Sequence, residues 1–330
     1  MMTYKLQGCK KSAVIGWMAG MLLLAGCTQD KPVDTSQGEM LPEGKYPITF
    51  TVTGLEATAT TRGTTDGTWN GNEAVAVKIG NEVKNYVAAS GASTTLKAAN
   101  RVTPFYWQST SDINVTAWYF GTGYQSSLPD SWGVNSNQDS EDNYRKCDVL
   151  YAHGTLSFDG SKSLTFYHQV AKVVVHVLKG TDTPENLNIT ELKANKLYLT
   201  CKSWTAPTGE NFYGKVINME NQQDINSLLF NAGEITLPSG NKAISIKSYK
   251  FLIVPQEVSS GTPLFTITAQ GYGAPFIYTP ASTRTLEAGN EYTYYITIKG
   301  EKVTATVTST GMTWTDGGSG GSGGNGSVEI

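Results

Sequence analysis

The sequence predicts an all-β protein, two tandem β-sandwiches of the transthyretin-like, Greek-key kind set behind a lipoprotein signal peptide. Three observations predict it. Short runs with apolar residues at every second position follow one another from Pro47 almost to the C-terminus, the pattern of strands with one buried face. Hardly any 3.6-residue periodicity competes with them. The first residues form a basic stretch, a short apolar run and a cysteine preceded by small residues.

The N-terminus sets the compartment. Lys5, Lys10 and Lys11 precede the apolar AVIGWMAGMLLLAG, and Leu24-Ala25-Gly26-Cys27 closes it. The small residues let the extended chain enter a peptidase, and the Cys27 thiol takes a diacylglyceryl group before cleavage leaves it as the acylated (palmitate-bearing) first residue. The apolar run is shorter than the roughly 20 residues a spanning helix needs. Residues 1–26 are therefore read as signal peptide, and the protein as exported to the outer membrane or cell surface. Residues 27–45, polar with two prolines, read as a flexible tether.

The strands then come in order. ITFTVTG puts Ile48, Phe50 and Val52 on one face, EAVAVKIG does the same with Val75, Val77 and Ile79, and INVTAWYF with Ile113, Val115, Ala117 and Tyr119. LTFYHQV and KVVVHVL complete the first sandwich, residues 46–180. The polar stretch LKGTDTPENLN, with Pro184, marks the boundary. LYLTC, GEITLP, KAISIKS, YKFLIVP, LFTITAQ, PFIYTP, EYTYYITIK and KVTATVTS make a second sandwich, residues 187–316. Clusters of Gly, Pro, Asn, Asp and Ser bound each run and supply the turns. ENLNITELKANKL near 185 and NQQDINSLLFNAG near 221 are the two stretches with a weak helical pattern. Residues 317–330 form a Gly/Ser-rich tail.

Composition excludes several classes of function. The formal charge is -3 and charged residues make up 16% of the chain, below the usual ~25%. No basic cluster invites nucleic acid. With Cys9 removed and Cys27 lipidated, Cys147 and Cys201 remain, and they read equally well as a disulfide or as two separate buried thiols. His153, His168 and His176 have no metal-type spacing, no P-loop or GxSxG is present, and no cofactor or metal is expected. GYGAP at 271–275 is a turn by composition. NSNQDSEDNYRKCD, residues 135–148, is acidic; a pair such as Asp139 and Asp142 could flank a glycosidic bond, and such a loop could equally hold calcium. Such loops are usually plain surface, so no enzyme is expected. Trp107, Trp118, Tyr119, Phe120, Tyr124 and Trp132 could form a sugar platform, but sandwich cores need such side chains for packing.

Several strings occur in an order that carries more weight than any one of them: LLLAGC, TTRG soon after the first strand, TWNGNEAVAVKI, PFYWQSTSDINVTAWYF, CDVLYAHG, SLTFYHQVAKVVVHV, FLIVPQ, LEAGNEYTYYITI and MTWTDGG. In these the chain resembles the fimbrillin family, lipoprotein subunits of Bacteroidales-type (type V) pili, over nearly the whole mature length. The resemblance implies tandem β-sandwiches, surface export through Cys27, and a structural or adhesive role without catalysis. It also implies cleavage by an arginine-specific protease after the first strand, here between Arg62 and Gly63. Removing that strand opens a groove that an extended strand of another subunit fills. The expected partners are other pilus subunits, outer-membrane lipid through Cys27 before processing, and host or bacterial surface ligands.

Arg62 suits that role, being the single basic residue between Lys45 and Lys78 and flanked by small residues that let the backbone extend. The C-terminus departs from the pattern. Trp314 is followed mostly by glycine and serine, with only Val328 and Ile330 to dock as a donor strand. Either KVTATVTS at 302–309 is the donor or this subunit accepts a strand and donates none, which points to a tip or accessory position rather than the stalk. The alternative is a surface lipoprotein that never polymerises and binds glycan or host protein through loops such as 121–147.

Overall fold

The computed structural model describes residues 38–54, 68–180, 187–230, 233–237 and 239–299, and the backbone of three further strands at 302–307, 312–313 and 326–329. Cys27, Arg62 and Gly63 lie outside the described residues, as do the signal peptide and most of the tail. All of the described architecture belongs to one compact unit, Gly38–Ile330.

The first half is a barrel. Its elements are β1 (Phe50–Gly54), β2 (Trp69–Asn70), β3 (Ala74–Ile79), β4 (Glu82–Ala88), β5 (Ser90–Gly91), β6 (Ser93–Ala98), β7 (Ile113–Tyr119), β8 (Trp132–Gly133), helix α1 (Glu141–Arg145), β9 (Leu150–Leu156) and β10 (Ser163–His168). Seven of the strands close into a ring in the order β1-β10-β9-β7-β3-β4-β6. A sandwich of two open sheets was expected here, and a sheet closed on itself is found. The physical difference lies in β1, which bonds to both β6 and β10 and so removes the two edges an open sheet would leave. The inward residues Phe50, Val52, Val75, Val77, Ala117, Ala152 and Phe166 alternate along their strands and form one buried cluster.

The second half has β11 (Ala171–Lys179), β12 (Ile189–Thr205), β13 (Lys215–Asn226), β14 (Leu228–Phe230), β15 (Gly233–Thr236), β16 (Lys242–Ile253), β17 (Gln256–Val258), β18 (Phe265–Ala269), β19 (Phe276–Tyr278), β20 (Arg284–Leu286), β21 (Asn290–Lys299), β22 (Lys302–Val307), β23 (Met312–Thr313) and β24 (Gly326–Glu329). One sheet runs β14-β16-β11-β21-β22-β24 and another β13-β12-β18-β19. They pack across a second buried cluster, in which Phe265 meets Phe251 and Tyr294 edge-on at ring-centroid distances of 6.4 and 5.0 Å. The strand KVVVHVL, placed by sequence in the first domain, lies here between β16 and β21. Its residues Val173, Val174, Val175 and Val177 are all buried, as a central strand with both faces covered requires. The described parts of both stretches with a weak helical pattern are mostly strand, in β12 and in β13 to β14.

Candidate functional site

The slot occupied by β1 is the feature of the fold with the clearest mechanical consequence. β1 runs antiparallel to β6, with Val52 opposite Thr94, and parallel to β10, with Val52 opposite Leu164. The other neighbour of β6 is β4, and that of β10 is β9. β1 is thus the closing stave of the barrel. Its alternation sends Ile48, Phe50 and Val52 inward at 4%, 0% and 0% exposure, and burying each such side chain stabilises the fold by about 1.5–3 kcal/mol. Phe50 meets the Tyr86 ring edge-on at 5.1 Å, and the Tyr86 hydroxyl accepts a hydrogen bond from the Phe105 N–H at 2.8 Å.

The chain ahead of β1 is held too, although it carries the tether's composition. Leu41 N–H donates to Gln108 O at 2.9 Å, Ile48 N–H to Phe105 O at 2.7 Å, and Trp107 N–H to Tyr46 O at 2.9 Å. Residues 38–54 therefore lie along the barrel as one ribbon, bonded through backbone groups and three apolar anchors.

Where the described chain resumes, it is pinned. Trp69 is buried, with its ring against Phe166 at 5.3 Å and Tyr119 at 6.1 Å. Arg145 donates from Nη1 to Thr68 O at 3.4 Å and pairs with Glu141 at 3.2 Å. The segment 55–67, with Arg62, thus connects a stave to a fixed point. Nothing in the sequence marks the Arg145 contact, because it joins residues 77 positions apart.

The remaining sequence candidates fall in separate places. Cys147 and Cys201 are free, buried thiols. Cys147 Sγ accepts from Asn135 N–H at 3.1 Å and donates to Asn143 O at 3.2 Å, while Cys201 Sγ donates to Ser203 O at 3.4 Å. Burial pushes the Cys147 thiol up to about 12 and the Cys201 thiol up to about 11, so both stay protonated and unreactive at neutral pH. His168 is buried against Asp148 at 2.6 Å, His153 contacts Asn211 O at 2.9 Å, and His176 contacts Ser248 Oγ at 2.8 Å. The three rings serve three different sites. Asp142 pairs with Lys146 one turn along α1 at 2.6 Å, and Ser140 caps that helix. Among the described residues no group of His, Cys, Asp and Glu could hold a metal ion. Trp107, Trp118, Phe120 and Trp132 are buried, and Tyr119 and Tyr124 are half-buried, so the aromatic stretch is mostly packing.

An all-β chain whose first strand closes a seven-stranded barrel is the class of protein defined here. The fimbrillin-like family model matches residues 61–314, more than half of the chain, and the chain belongs to that family. The match begins beyond β1. Among solved structures, a candidate cell adhesion protein from Bacteroides uniformis is similar at 16% identity, covering 80% of this chain and 97% of its own, with a TM-score of 0.56. Another from Bacteroides ovatus is similar at 14% identity, covering 79% and 95%, with a TM-score of 0.53. At such identities the likeness is one of fold. No curated protein matches the chain.

Proposed function

We propose that this chain is a non-catalytic structural or adhesive subunit of a cell-surface pilus. It is exported as a lipoprotein on Cys27 and activated by cleavage between Arg62 and Gly63. The observation that carries this reading is the place of β1, paired on both sides, filling the barrel with Phe50 and Val52, and standing in sequence just ahead of the stretch that holds an isolated arginine. Loss of residues up to Arg62 bares the bonding edges of β6 and β10 and the apolar pockets between them, and a strand from another subunit with the same alternation satisfies both. Family membership and the adhesion proteins of like fold support the surface role.

The tip or accessory position is supported by the C-terminus. β22, one donor candidate, pairs with β21 on one side and β24 on the other, and β24 contains Val328, part of the second candidate. Both are engaged in the chain's own sheet, which suits a subunit that accepts a strand and offers none. The same pairing suits the alternative, a surface lipoprotein that does not polymerise. Mass and N-terminal sequencing of protein recovered from the cell surface separates them. A start at Gly63 is expected, and a lipidated start at Cys27 on all of the surface protein would overturn the cleavage model.

A further inference from the structure

A second site lies away from the β1 slot, where the loop 206–214 reaches the start of β13. It is a cleft of about 640 Å³ between this loop, β17 and the turn after β20, within the ~300–1,000 Å³ usual for small-ligand pockets. Its apolar wall is made by Tyr213, Val216 and Leu286, and its polar rim by Lys215, Glu257 and Glu287. The Lys215 ammonium and Glu257 carboxylate make no hydrogen bond or ion pair among the described residues. Among the described residues the Glu287 carboxylate accepts one long bond, 3.3 Å from Asn290 Nδ2.

The aromatic wall continues outside the cleft. Phe212 is 41% exposed and stacks on Tyr167 with ring centroids at 4.4 Å, and its ring also lies near-parallel to that of His153 at 6.2 Å. An exposed phenylalanine on a loop would ordinarily be mobile. Here one side chain fixes it. Gln169, buried to 2%, donates to Tyr167 O at 2.9 Å and Phe212 O at 3.1 Å, and accepts from Gly214 N–H at 2.7 Å. Gly289 completes the seat: its φ is +68, and a Cβ there would lie 2.0 Å from the Tyr213 ring. The rings are thus held before any ligand arrives, which lowers the ordering cost of binding.

We propose that this cleft and the Phe212 ridge form a saccharide-binding site. A sugar ring has one face of C–H groups, which an aromatic or aliphatic wall accepts, and a rim of hydroxyls that donate to carboxylates and accept from an ammonium. Glu257, Glu287 and Lys215 supply both kinds of partner. With one cation and two carboxylates in the lining, the cleft has no net positive charge to favour phosphate or sulfate, and the ligand class is a neutral or N-acetylated glycan. The site makes the subunit adhesive whether or not β1 is exchanged.

The test is a printed array of neutral, N-acetylated and acidic glycans probed with the uncut chain, followed by amide-resolved titration of the best disaccharide. Saturable shifts are expected at residues 213–216 and 285–290. Glu257→Gln and Lys215→Met, both at exposed positions, should each weaken binding by about tenfold, the effect of losing a charge-assisted hydrogen bond, with unchanged melting temperature. No binding across the array, saturable shifts confined elsewhere, or wild-type affinity in both variants would overturn the proposal.

Discussion

At the scale of single residues, Phe50 and Gln169 show how differently legible two important side chains are. Phe50 is readable from its alternation with Ile48 and Val52, and it sits at 0% exposure against Tyr86. Phe50→Ala should destabilise the barrel by about 3–5 kcal/mol through lost transfer energy and the cavity left behind, measured as a shift of the urea midpoint at constant slope. Gln169 follows a strand run and looks like any polar surface residue, yet it is buried with three hydrogen bonds, one local and two to the distant 212–214 segment. Only the fold can show which buried amide bridges which loops. His176 is a third case. Burial holds its imidazole down to about 4 from 6.5, opposed by the nearby Glu291 carboxylate, among Ser248, Tyr295 and Phe230. Between those two values the unfolded chain binds a proton that the folded chain refuses, so stability falls as pH drops through that window. His176→Gln should flatten this part of the pH dependence of unfolding, and a profile unchanged from the parent would show that other groups set it.

At the scale of elements, β1 is the strand that closes the barrel, paired with β6 on one side and β10 on the other. Thr51 N–H donates to Lys162 O at 2.9 Å, and Thr51→Pro deletes that bond and obstructs the strand. The variant should exchange the amide hydrogens of β6 and β10 faster than the parent, while the second half keeps its protection. In a chain trimmed at Arg62, a peptide of sequence ITFTVTG should restore slow exchange in the same two strands; no recovery at saturating peptide would mean that the slot collapses once emptied. Strand identity was well encoded by period-2 alternation. It failed at β13, whose burial is mostly exposed along twelve residues. An edge strand with two wet faces has no apolar side to alternate, and so its polar sequence imitates a weak helix.

At the scale of the molecule, the chain is divided by sheet pairing rather than by composition. The polar stretch after Lys179 looks like a boundary, but β11 before it belongs to the second half, paired to β16 and β21. Assembly is the property that belongs to this scale. Trimming with an arginine-specific protease in the presence of a subunit that offers a free alternating strand should produce complexes that survive denaturant without boiling, whereas Arg62→Ala should leave the mixture monomeric. Equal yields with and without Arg62 would place the activating event elsewhere.

The sequence by itself determined the all-β class, the inward residues of most strands and the family, because each rests on patterns local to a few residues or on their order along the chain. The tertiary structure alone decided that the first sheet closes, that β11 lies in the second half, and that Gln169 and Arg145 act as clamps. These depend on which distant segments bond, such as Val52 beside Leu164. Alternation says which face of a strand is buried, but it carries no information about the partner on either edge.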